Sequence, residues 1–327
     1  MVNTQFPTRL PSVSVVMPCY NAGRYIAAAI RSVLDQEYPG SLEILVVDDG
    51  STDDSVRIAS GFQHVTVLRQ ANMGPAAARN LALGHSHAEF IAFLDADDLW
   101  IPGSLRPRIE CLVQNPDVGV VFGDFTRWTP AAGATDSDTE SPDRLPESVS
   151  DAVASGWLFP EILLDPIVHI ITIVARREVF ASVGDFDRNL RTGEDYEFWI
   201  RAAQRFRFRK LDRFIARYRV HPGGTTRVPR VQNNEYIVAS RAVAAFGLTG
   251  QRGVRLDMRL LHRRMHRICF NHAYLHYWHG DPRVAATGFC LAIRHGPRQP
   301  KAWIYALLSV CKACLLWRPA TTKLTKS

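Results

Sequence analysis

Short apolar runs alternate with longer helical patterns through the first third of this chain. The runs are "SVSVVMP", "LEILVVDD", "HVTVLRQ" and "EFIAFLD", at residues 12–18, 42–49, 64–70 and 89–95. Their continuous, β-branched apolar character is typical of strands buried on both faces. Between them, "GRYIAAAIRSVLDQ", "TDDSVRIASG" and "GPAAARNLALGH" predict helices. Such repeated units specify an α/β fold with a Rossmann-like, mostly parallel sheet flanked by helices.

Polar clusters follow three of these runs, where ligands bind in open parallel sheets. The clusters are "PCYN", "DDGS" and "DADD". The last one places Asp95, Asp97 and Asp98 within four positions. Carboxylates this close repel one another unless a cation or a hydrogen-bonding ligand compensates their charge. We therefore expect a ligand crevice that includes this acidic cluster.

The phosphate-binding signatures that depend on glycine are missing from the sequence. The first strand leads into "CYNAG" instead of G-x-G-x-x-G, and no G-x-x-x-x-G-K-[ST] occurs. These absences argue against a dinucleotide dehydrogenase and a P-loop NTPase. Mg²⁺ or Mn²⁺, shared between one or two carboxylates and substrate phosphates, is the alternative way to hold phosphate. Asp95 and Asp97, at a strand end, suit that task.

Four motifs in fixed order give the sequence a strong resemblance to a known family. They are the stretch from "VSVVMPCYN" to "VVDDGSTDDS", "QANMGPAAARN", "FLDADDLW" and "TGEDYEFWIR". Together they resemble the family 2 glycosyltransferases, which have the GT-A fold, from about Val13 to about Thr226. The resemblance implies a nucleotide-sugar donor, a UDP- or dTDP-sugar, and Mn²⁺ or Mg²⁺ as cofactor. It assigns the donor nucleotide to Pro18, Tyr20, Asp49, Arg79 and Asp95, and the metal to Asp97.

The same resemblance implies the catalytic residue and its surroundings. Asp195 in "TGEDYEFW" is the candidate general base, which removes the proton of the acceptor hydroxyl in an inverting displacement. Its neighbour Glu194 would raise its proton affinity, whereas a helix N-terminus would lower it. His221, after a predicted strand, would contact the diphosphate or the metal. Trp100 is expected near the diphosphate or acceptor, although aromatic residues beside apolar runs also fit a core position.

Structural roles compete with several of these assignments. Thr192 to Asp195 and Ser51 to Asp54 both fit a capping box that opens a helix, and Asp53 and Asp54 are best explained as caps. Arg79 could be a solvated helix residue. His221 could be a loop histidine without a functional role.

Other classes of protein share parts of this pattern. "FLDADDLW" approaches the D-x-D-x-[TV] motif of haloacid dehalogenase-like phosphatases, but Leu99 replaces the Thr or Val. The G-x-G-T-R-x-x-P loop of nucleotidyltransferases is missing. An inactive glycan-binding or scaffold protein would be expected to have lost Asp97 or Asp195, and both are present.

Charge divides the chain into two parts. Residues 251–327 hold 14 Lys and Arg against 2 Asp, a net +12, within a total of +7. We expect a GT-A catalytic domain over 1–226, with a flexible loop at about 129–151, and a basic helical region over 227–327. The apolar stretch from Ala302 to Trp317 predicts either a packed helix or an amphipathic element on an anionic membrane surface.

Partners and location follow from the same features. A basic tail suits a glycan or lipid-linked acceptor in cell-envelope polysaccharide biosynthesis, and no nucleic-acid reading motif accompanies the basic residues. Without a signal-peptide pattern at the N-terminus, we expect a cytoplasmic protein, with the inner face of the plasma membrane as the alternative. Six scattered cysteines do not suggest a disulfide framework, and Cys311 with Cys314 lacks the second pair that a zinc site needs.

Overall fold

A computed structural model describes residues 10–129, 155–221 and 228–316. The chain divides into two compact units. The first comprises residues 1–223 together with 249–255, and the second comprises 224–248 together with 256–327. The predicted loop at 129–151 lies outside the described residues, apart from residue 129.

The first unit is built on one eight-stranded sheet. Its strands are β1 (Val13–Cys19), β2 (Leu42–Asp48), β3 (Val65–Arg69), β4 (Phe90–Phe93), β5 (Leu99–Trp100), β6 (Val118–Trp128), β7 (Val174–Arg176) and β8 (Arg207–Arg219). They lie in the order β3-β2-β1-β4-β7-β6-β8-β5. The pairs β3/β2, β2/β1, β1/β4 and β6/β8 are parallel, whereas β4/β7, β7/β6 and β8/β5 are antiparallel. The sheet is therefore mixed, with its parallel part where the sequence predicted it.

Burial follows from position in the sheet. Strands β1 and β4 are almost entirely buried, as expected for runs of Val, Ile and Phe with neighbours on both sides. β3 lies at the edge and has no buried residue, so the prediction that this run is covered on both faces is wrong. An edge strand of this kind needs polar side chains, which Thr66 and Arg69 supply.

Seven α-helices in the described residues of the first unit flank the sheet. They are α1 (Ile26–Leu34), α2 (Ser55–Ala59), α3 (Pro75–His85), α4 (Leu105–Gln114), α5 (Phe159–Leu164), α6 (Arg177–Val183) and α7 (Glu194–Ala203), with a 3₁₀ turn at Ile170–Thr172. Helix α1 buries Ile26, Ala29, Ile30 and Val33, the i, i+3, i+4, i+7 stripe that its sequence predicts. Pro75 starts α3 at a position where its missing N–H costs nothing.

The second unit is helical, which confirms the prediction for the C-terminal region. It contains α8 (Asn234–Phe246), α9 (Met258–His279), α10 (Pro282–His295) and α11 (Pro300–Leu316). Gly280 and Gly296 end α9 and α10, at the stretches "GDP" and "GPRQP", where Gly and Pro disfavour a continuing helix. Gly288 allows α9 and α10 to approach closely, because a Cβ there would lie 2.9 Å from the Cβ of Ala273. Among the described helices, none is long and apolar enough to cross a membrane.

Candidate active site

The carboxyl ends of β1, β2 and β4 form one edge of the sheet, because these strands are parallel neighbours. The ends are held together by backbone bonds, from the Asp49 amide to the Cys19 carbonyl at 2.8 Å and from the Leu94 amide to the Val16 carbonyl at 3.1 Å. The three polar clusters of the sequence therefore meet at this edge, as the topology requires.

Pro18 and Tyr20, predicted to hold the donor nucleotide, lie at the end of β1. Pro18 is half-buried and Tyr20 is 53% exposed, so its ring is open to a ligand. The following turn is fixed by Asn21, whose side chain accepts a bond from the Thr52 amide at 2.9 Å. Asn21 adopts a φ of 49°, a conformation that Asn tolerates better than most residues. The turn after β1 and the "DDGS" loop after β2 are thus joined on one side of the candidate site.

Asp49 has a different environment from the one that the resemblance implies. Its carboxylate accepts bonds from the side chain of Gln70 and from the amides of Met73 and Gly74, each at 2.8 Å. The residue is only 5% exposed. With three protein donors already on the carboxylate, Asp49 orders the loop that leads into α3. Contact with a nucleobase would have to use its remaining acceptor capacity.

Arg79 lies on α3 and is buried, so the alternative of a solvated helix residue is wrong. Its guanidinium donates to Glu194 at 2.5 Å and to Asp95 at 2.9 Å. Burial alone would lower the pKa of Arg79, but the carboxylates of Asp95, Glu194 and Asp195 outweigh it and hold this pKa above its ordinary value. A single cation thereby joins the end of β4 to the start of α7.

Asp97, the predicted metal ligand, pairs with His221. The Nε2 atom of His221 lies 2.9 Å from Oδ2 of Asp97, and the Asp97 side chain is 35% exposed. Loss of hydration, followed by the charge of Asp95, raises the pKa of Asp97, and the bond from His221 opposes that rise. The two residues that the resemblance assigned to the metal therefore face each other.

Asp98 is the third carboxylate of the cluster and faces inward. It is 1% exposed, and its Oδ1 accepts the backbone amide of Arg219 at 2.7 Å. Burial, followed by repulsion from Asp97 and Asp95, raises the pKa of Asp98 well above its usual range. Asp98 thus joins the segment from Asp95 to Asp98, which we call the acidic loop, to the end of β8. Its role is structural.

Arg219, which sequence reasoning missed, supports the acidic loop from below. Its Nε donates to the Asp97 carbonyl at 2.7 Å, and its guanidinium lies under the rings of Tyr25 at 4.7 Å and Trp128 at 4.3 Å. The Tyr25 ring also contacts His221, with centroids 5.0 Å apart. The motif "RYRVH" contains this residue two positions before His221, but only the fold shows that it reaches the loop.

Asp195 lies in the first turn of α7, beside Glu194. The helix begins after Gly193, which has a φ of 76°, so Gly193 occupies the N-cap position where the predicted capping box would have placed Thr192. The Oδ1 atom of Asp195 accepts the Tyr196 amide at 2.8 Å. Loss of hydration raises the pKa of Asp195 despite the opposing charge of Arg79 and the bond from the Tyr196 amide. Desolvation therefore decides the direction in which the pKa of Asp195 shifts, and the sequence alone could not show how buried this residue is.

Glu194 has a more restricted position than Asp195. It is 5% exposed and bound to Arg79, and burial raises its pKa while Arg79 lowers it. Held in this way, Glu194 orients the start of α7 and leaves Asp195 as the available carboxylate of the pair.

His169 is a second residue that sequence reasoning missed. Its ring packs against Phe125 at 4.3 Å and Tyr218 at 5.5 Å, and its Nδ1 is buried without a hydrogen-bond partner among the described residues. Burial lowers the pKa of His169 to about 4, with Asp95 acting in the opposite direction. The imidazole is therefore neutral at physiological pH, within electrostatic reach of the acidic loop.

Trp100 lies in the core, which corrects its assignment to the diphosphate or acceptor region. It is 3% exposed, its indole N–H donates to the Ile171 carbonyl at 2.8 Å, and Arg108 covers its ring at 4.4 Å. Trp199 is fully buried as well. Neither ring has a free face for a sugar. The predicted cap role suits Asp53, which accepts the amides of Gly23 at 2.8 Å and Ser55 at 3.0 Å.

A divalent cation suits the Asp97 and His221 pair. Within the described parts of the chain, no three His, Cys, Asp or Glu side chains are grouped to hold a metal alone. Mg²⁺ and Mn²⁺ sites commonly use one or two protein ligands and take the rest from substrate phosphates. The 2.9 Å between Nε2 and Oδ2 is close to the ~3 Å between adjacent ligands of a cation bound at ~2.1 Å. The donor set and its spacing therefore fit.

Solved structures define the class of fold. S. aureus TarS 1-349 in complex with UDP-GlcNAc superposes with a TM-score of 0.64 at 18% identity, covering 91% of this chain and 89% of that one. The mannosyltransferase PcManGT from Pyrobaculum calidifontis, in complex with GDP-Man and Mn²⁺, gives 0.57 at 22% identity, covering 95% and 82%. The fold is the GT-A fold of glycosyltransferases, as the motifs predicted.

Sequence comparison indicates the same class of protein. Residues 14–163 match the model "Glycosyl transferase family 2", so this segment is similar to that family. The putative teichuronic acid biosynthesis glycosyltransferase TuaG of Bacillus subtilis (strain 168) is 29% identical over 218 residues, which cover 64% of this chain and 79% of TuaG. An uncharacterized glycosyltransferase of Rickettsia felis is 30% identical over 217 residues. That match covers 65% of this chain but only 34% of the rickettsial protein.

Proposed function

We propose that this chain is a metal-dependent, inverting glycosyltransferase that moves a hexosyl group from a UDP- or dTDP-sugar to a hydroxyl acceptor. The acceptor is a glycan or a lipid-linked saccharide in cell-envelope polysaccharide biosynthesis. The match of residues 14–163 to the family 2 model supports the reaction class. The teichuronic acid assignment of TuaG and the UDP-GlcNAc and GDP-Man complexes of the structural neighbours support the pathway class and the donor class.

One observation carries the proposal: Arg79 holds Asp95 and Glu194 on the same guanidinium. The first carboxylate belongs to the strand end where a nucleotide would bind, and the second begins the helix that carries Asp195. Asp95 and Glu194, which are 99 positions apart in the chain (194 − 95), thus contact the same guanidinium, and this supports a site that joins the donor side to the acceptor side.

The donor side would be formed by residues at the sheet edge. Tyr20, with its exposed ring, and Pro18 would pack against the base, and Asp95 would accept a ribose hydroxyl with the oxygen that Arg79 leaves available. Asp97 and His221 would hold the cation against the diphosphate. When bound, that cation neutralises the charge that develops on the departing nucleoside diphosphate.

On the acceptor side, Asp195 acts as the base. It takes the proton of the acceptor hydroxyl as the oxygen bonds to the anomeric carbon and the bond from that carbon to the diphosphate oxygen breaks. A single displacement of this kind inverts the anomeric configuration. Desolvation, which raises the pKa of Asp195, makes it a stronger base than an exposed aspartate.

A donor screen tests the proposal. The protein is incubated with UDP-, dTDP- and GDP-sugars and Mn²⁺ without acceptor, and released nucleoside diphosphate is measured together with the anomer of the free sugar by NMR. We expect slow hydrolysis of a UDP- or dTDP-sugar with inversion. Retention of configuration, or no turnover and no thermal stabilisation with any donor, would contradict the proposal.

The fold and the contacts of Asp95 argue against the alternative function, a haloacid dehalogenase-like phosphatase. In such enzymes the first aspartate of the motif is the nucleophile, whereas here Asp95 is bound by a buried arginine and the fold is GT-A. An inactive scaffold remains distinguishable, because it would bind a donor in the screen without releasing nucleoside diphosphate.

A further inference from the structure

Helix α11 packs within the second unit through one face. That face carries Ala302 and Ser309, both fully buried, the partly buried Tyr305, whose ring contacts those of Phe289 and Tyr277, and Lys312. The Lys312 ammonium donates to the Tyr277 carbonyl at 2.5 Å and lies 4.9 Å from the centre of that ring. Apart from Tyr305, the side chains of α11 that pack within the second unit are therefore small or polar.

Large apolar side chains occupy the opposite, exposed side of α11. We call this side the outer face; between 43% and 85% of each side chain is exposed, for Trp303, Ile304, Leu307, Leu308, Val310 and Leu315. Scattered exposed apolar residues are normal, but a contiguous face of six on one helix marks an interaction surface.

Basic groups border both ends of the outer face. At one end, Arg283 of α10 lines a shallow cavity of about 300 Å³ together with Val310 and Cys314. At the other end, the exposed residues Arg298 and Lys301 flank the start of α11. The indole N–H of Trp303 donates to the Pro297 carbonyl of the same connection at 2.9 Å. From residue 282 to the last residue, 327, the sequence has no Asp or Glu.

We propose that the outer face of α11 lies on an anionic lipid surface, parallel to the membrane plane. An apolar face bordered by cations and an amphipathic Trp matches the boundary between acyl chains and phosphate headgroups. The 17 residues of α11 extend ~25 Å at ~1.5 Å per residue. A second copy of the chain fits less well, because a symmetric dimer through this face would bring like-charged surfaces together.

Vesicle flotation tests the apolar part of the surface. The full chain is mixed with vesicles of phosphatidylcholine alone or in an equimolar mixture with phosphatidylglycerol. We expect binding to the mixed vesicles and a decrease of about tenfold or more in L307Q/L315Q, which removes two leucines that are 67% and 85% exposed. The matched control V228Q/V231Q removes two other exposed side chains, 55% and 73% accessible, and should bind as the unchanged protein does.

A second pair of substitutions tests the charged part. R298Q/K301Q should weaken binding to the mixed vesicles by about fivefold per charge and leave binding to phosphatidylcholine unchanged. Circular dichroism verifies that each variant keeps its helices. Donor hydrolysis is measured in parallel, so that loss of membrane binding and failure of the proposed transfer reaction are separate results.

Three outcomes would overturn the proposal. The first is full vesicle binding by L307Q/L315Q, and the second is the absence of vesicle binding by the protein without substitutions. The third is a stable oligomer in sedimentation velocity that L307Q/L315Q converts to monomer, since a second copy would then cover the outer face.

Discussion

His221 Nε2 lies 2.9 Å from Oδ2 of Asp97, although 124 positions separate the two residues in the chain. The contact joins the acidic loop after β4 to the segment after β8. Arg219 strengthens the same junction through the Asp97 carbonyl, and the Tyr25 ring covers both Arg219 and His221. The most exposed carboxylate of the cluster is thus held in place from three elements.

The Asp97–His221 pair leads to a prediction about metal dependence. Asp97→Asn should weaken Mn²⁺-supported binding of the nucleotide at least tenfold, because the amide is a poorer ligand for a hard cation. His221→Asn should raise the Mn²⁺ concentration needed for half-maximal activity. Calorimetric titration of UDP with and without EDTA measures both effects. Asp117→Asn, a carboxylate change at an exposed ion pair with Arg207, is the control and should leave binding unchanged.

Removal of the proposed base should separate binding from chemistry. In Asp195→Asn we expect transfer to fall by about 10²–10⁴-fold, the usual contribution of a general base, with donor affinity within about twofold. Glu197→Gln changes a carboxylate in the same turn of α7 that pairs with Arg201 instead. Normal transfer by Asp195→Asn, or an equal loss in Glu197→Gln, would exclude Asp195 as the base.

Activity should decline on the acid side at a higher pH than an ordinary aspartate would allow. A base works only when deprotonated, and desolvation raises the pKa of Asp195 above 3.8. The value of kcat/KM should therefore be maximal above this raised pKa and should fall as the pH decreases through it. A profile of kcat/KM against pH measures this limb; an apparent pKa at or below 3.8 would contradict the role assigned to burial.

Arg79 should contribute to stability as well as to the site. Arg79→Met leaves Glu194, which is 5% exposed, without its cation, and a broken buried pair costs about 3–5 kcal/mol. Adding Glu194→Gln removes the uncompensated charge and should restore a large part of that loss. Urea unfolding of the single and double variants measures the coupling. If Arg79→Met and the double variant Arg79→Met/Glu194→Gln unfold at the same urea concentration, the ion pair between Arg79 and Glu194 has no net role in folding.

Arg219 is expected to act as a positioning residue for the acidic loop. Arg219→Met loses the bond to the Asp97 carbonyl, and outer-shell changes of this type lower metal affinity about 10–100-fold. The Mn²⁺ requirement and the donor KM should rise together, and Arg219→Lys should recover part of the loss. A lowered melting temperature with an unchanged Mn²⁺ requirement would assign Arg219 a purely structural role.

The parallel half of the sheet could be predicted because β1, β2 and β4 are continuous apolar runs, and such runs are recognisable from local composition. The acidic loop could be placed as well, because it directly follows the run that forms β4. A strand before His221 was predicted and is present as β8, but its length and its pairing with β6 were not predicted, because its sequence "RFRKLDRFIARYR" is rich in Arg and the pairing is set by tertiary contacts. The environments of Asp49, Arg79 and Trp100 depend on residues distant in the chain, so the sequence could not show the contacts of Asp49 and Arg79 or the core position of Trp100.

The guanidinium shared by Asp95 and Glu194 also constrains how such a protein can diversify. Removing the Asp95 carboxylate, at the proposed nucleotide-binding edge of the sheet, would disturb the charge balance at the start of α7. Likewise, removing the Glu194 carboxylate would alter the ion pair between Arg79 and Asp95. Variation in donor preference is therefore easier at Tyr20 and its loop, which lie outside this shared salt link, than at the strand end itself.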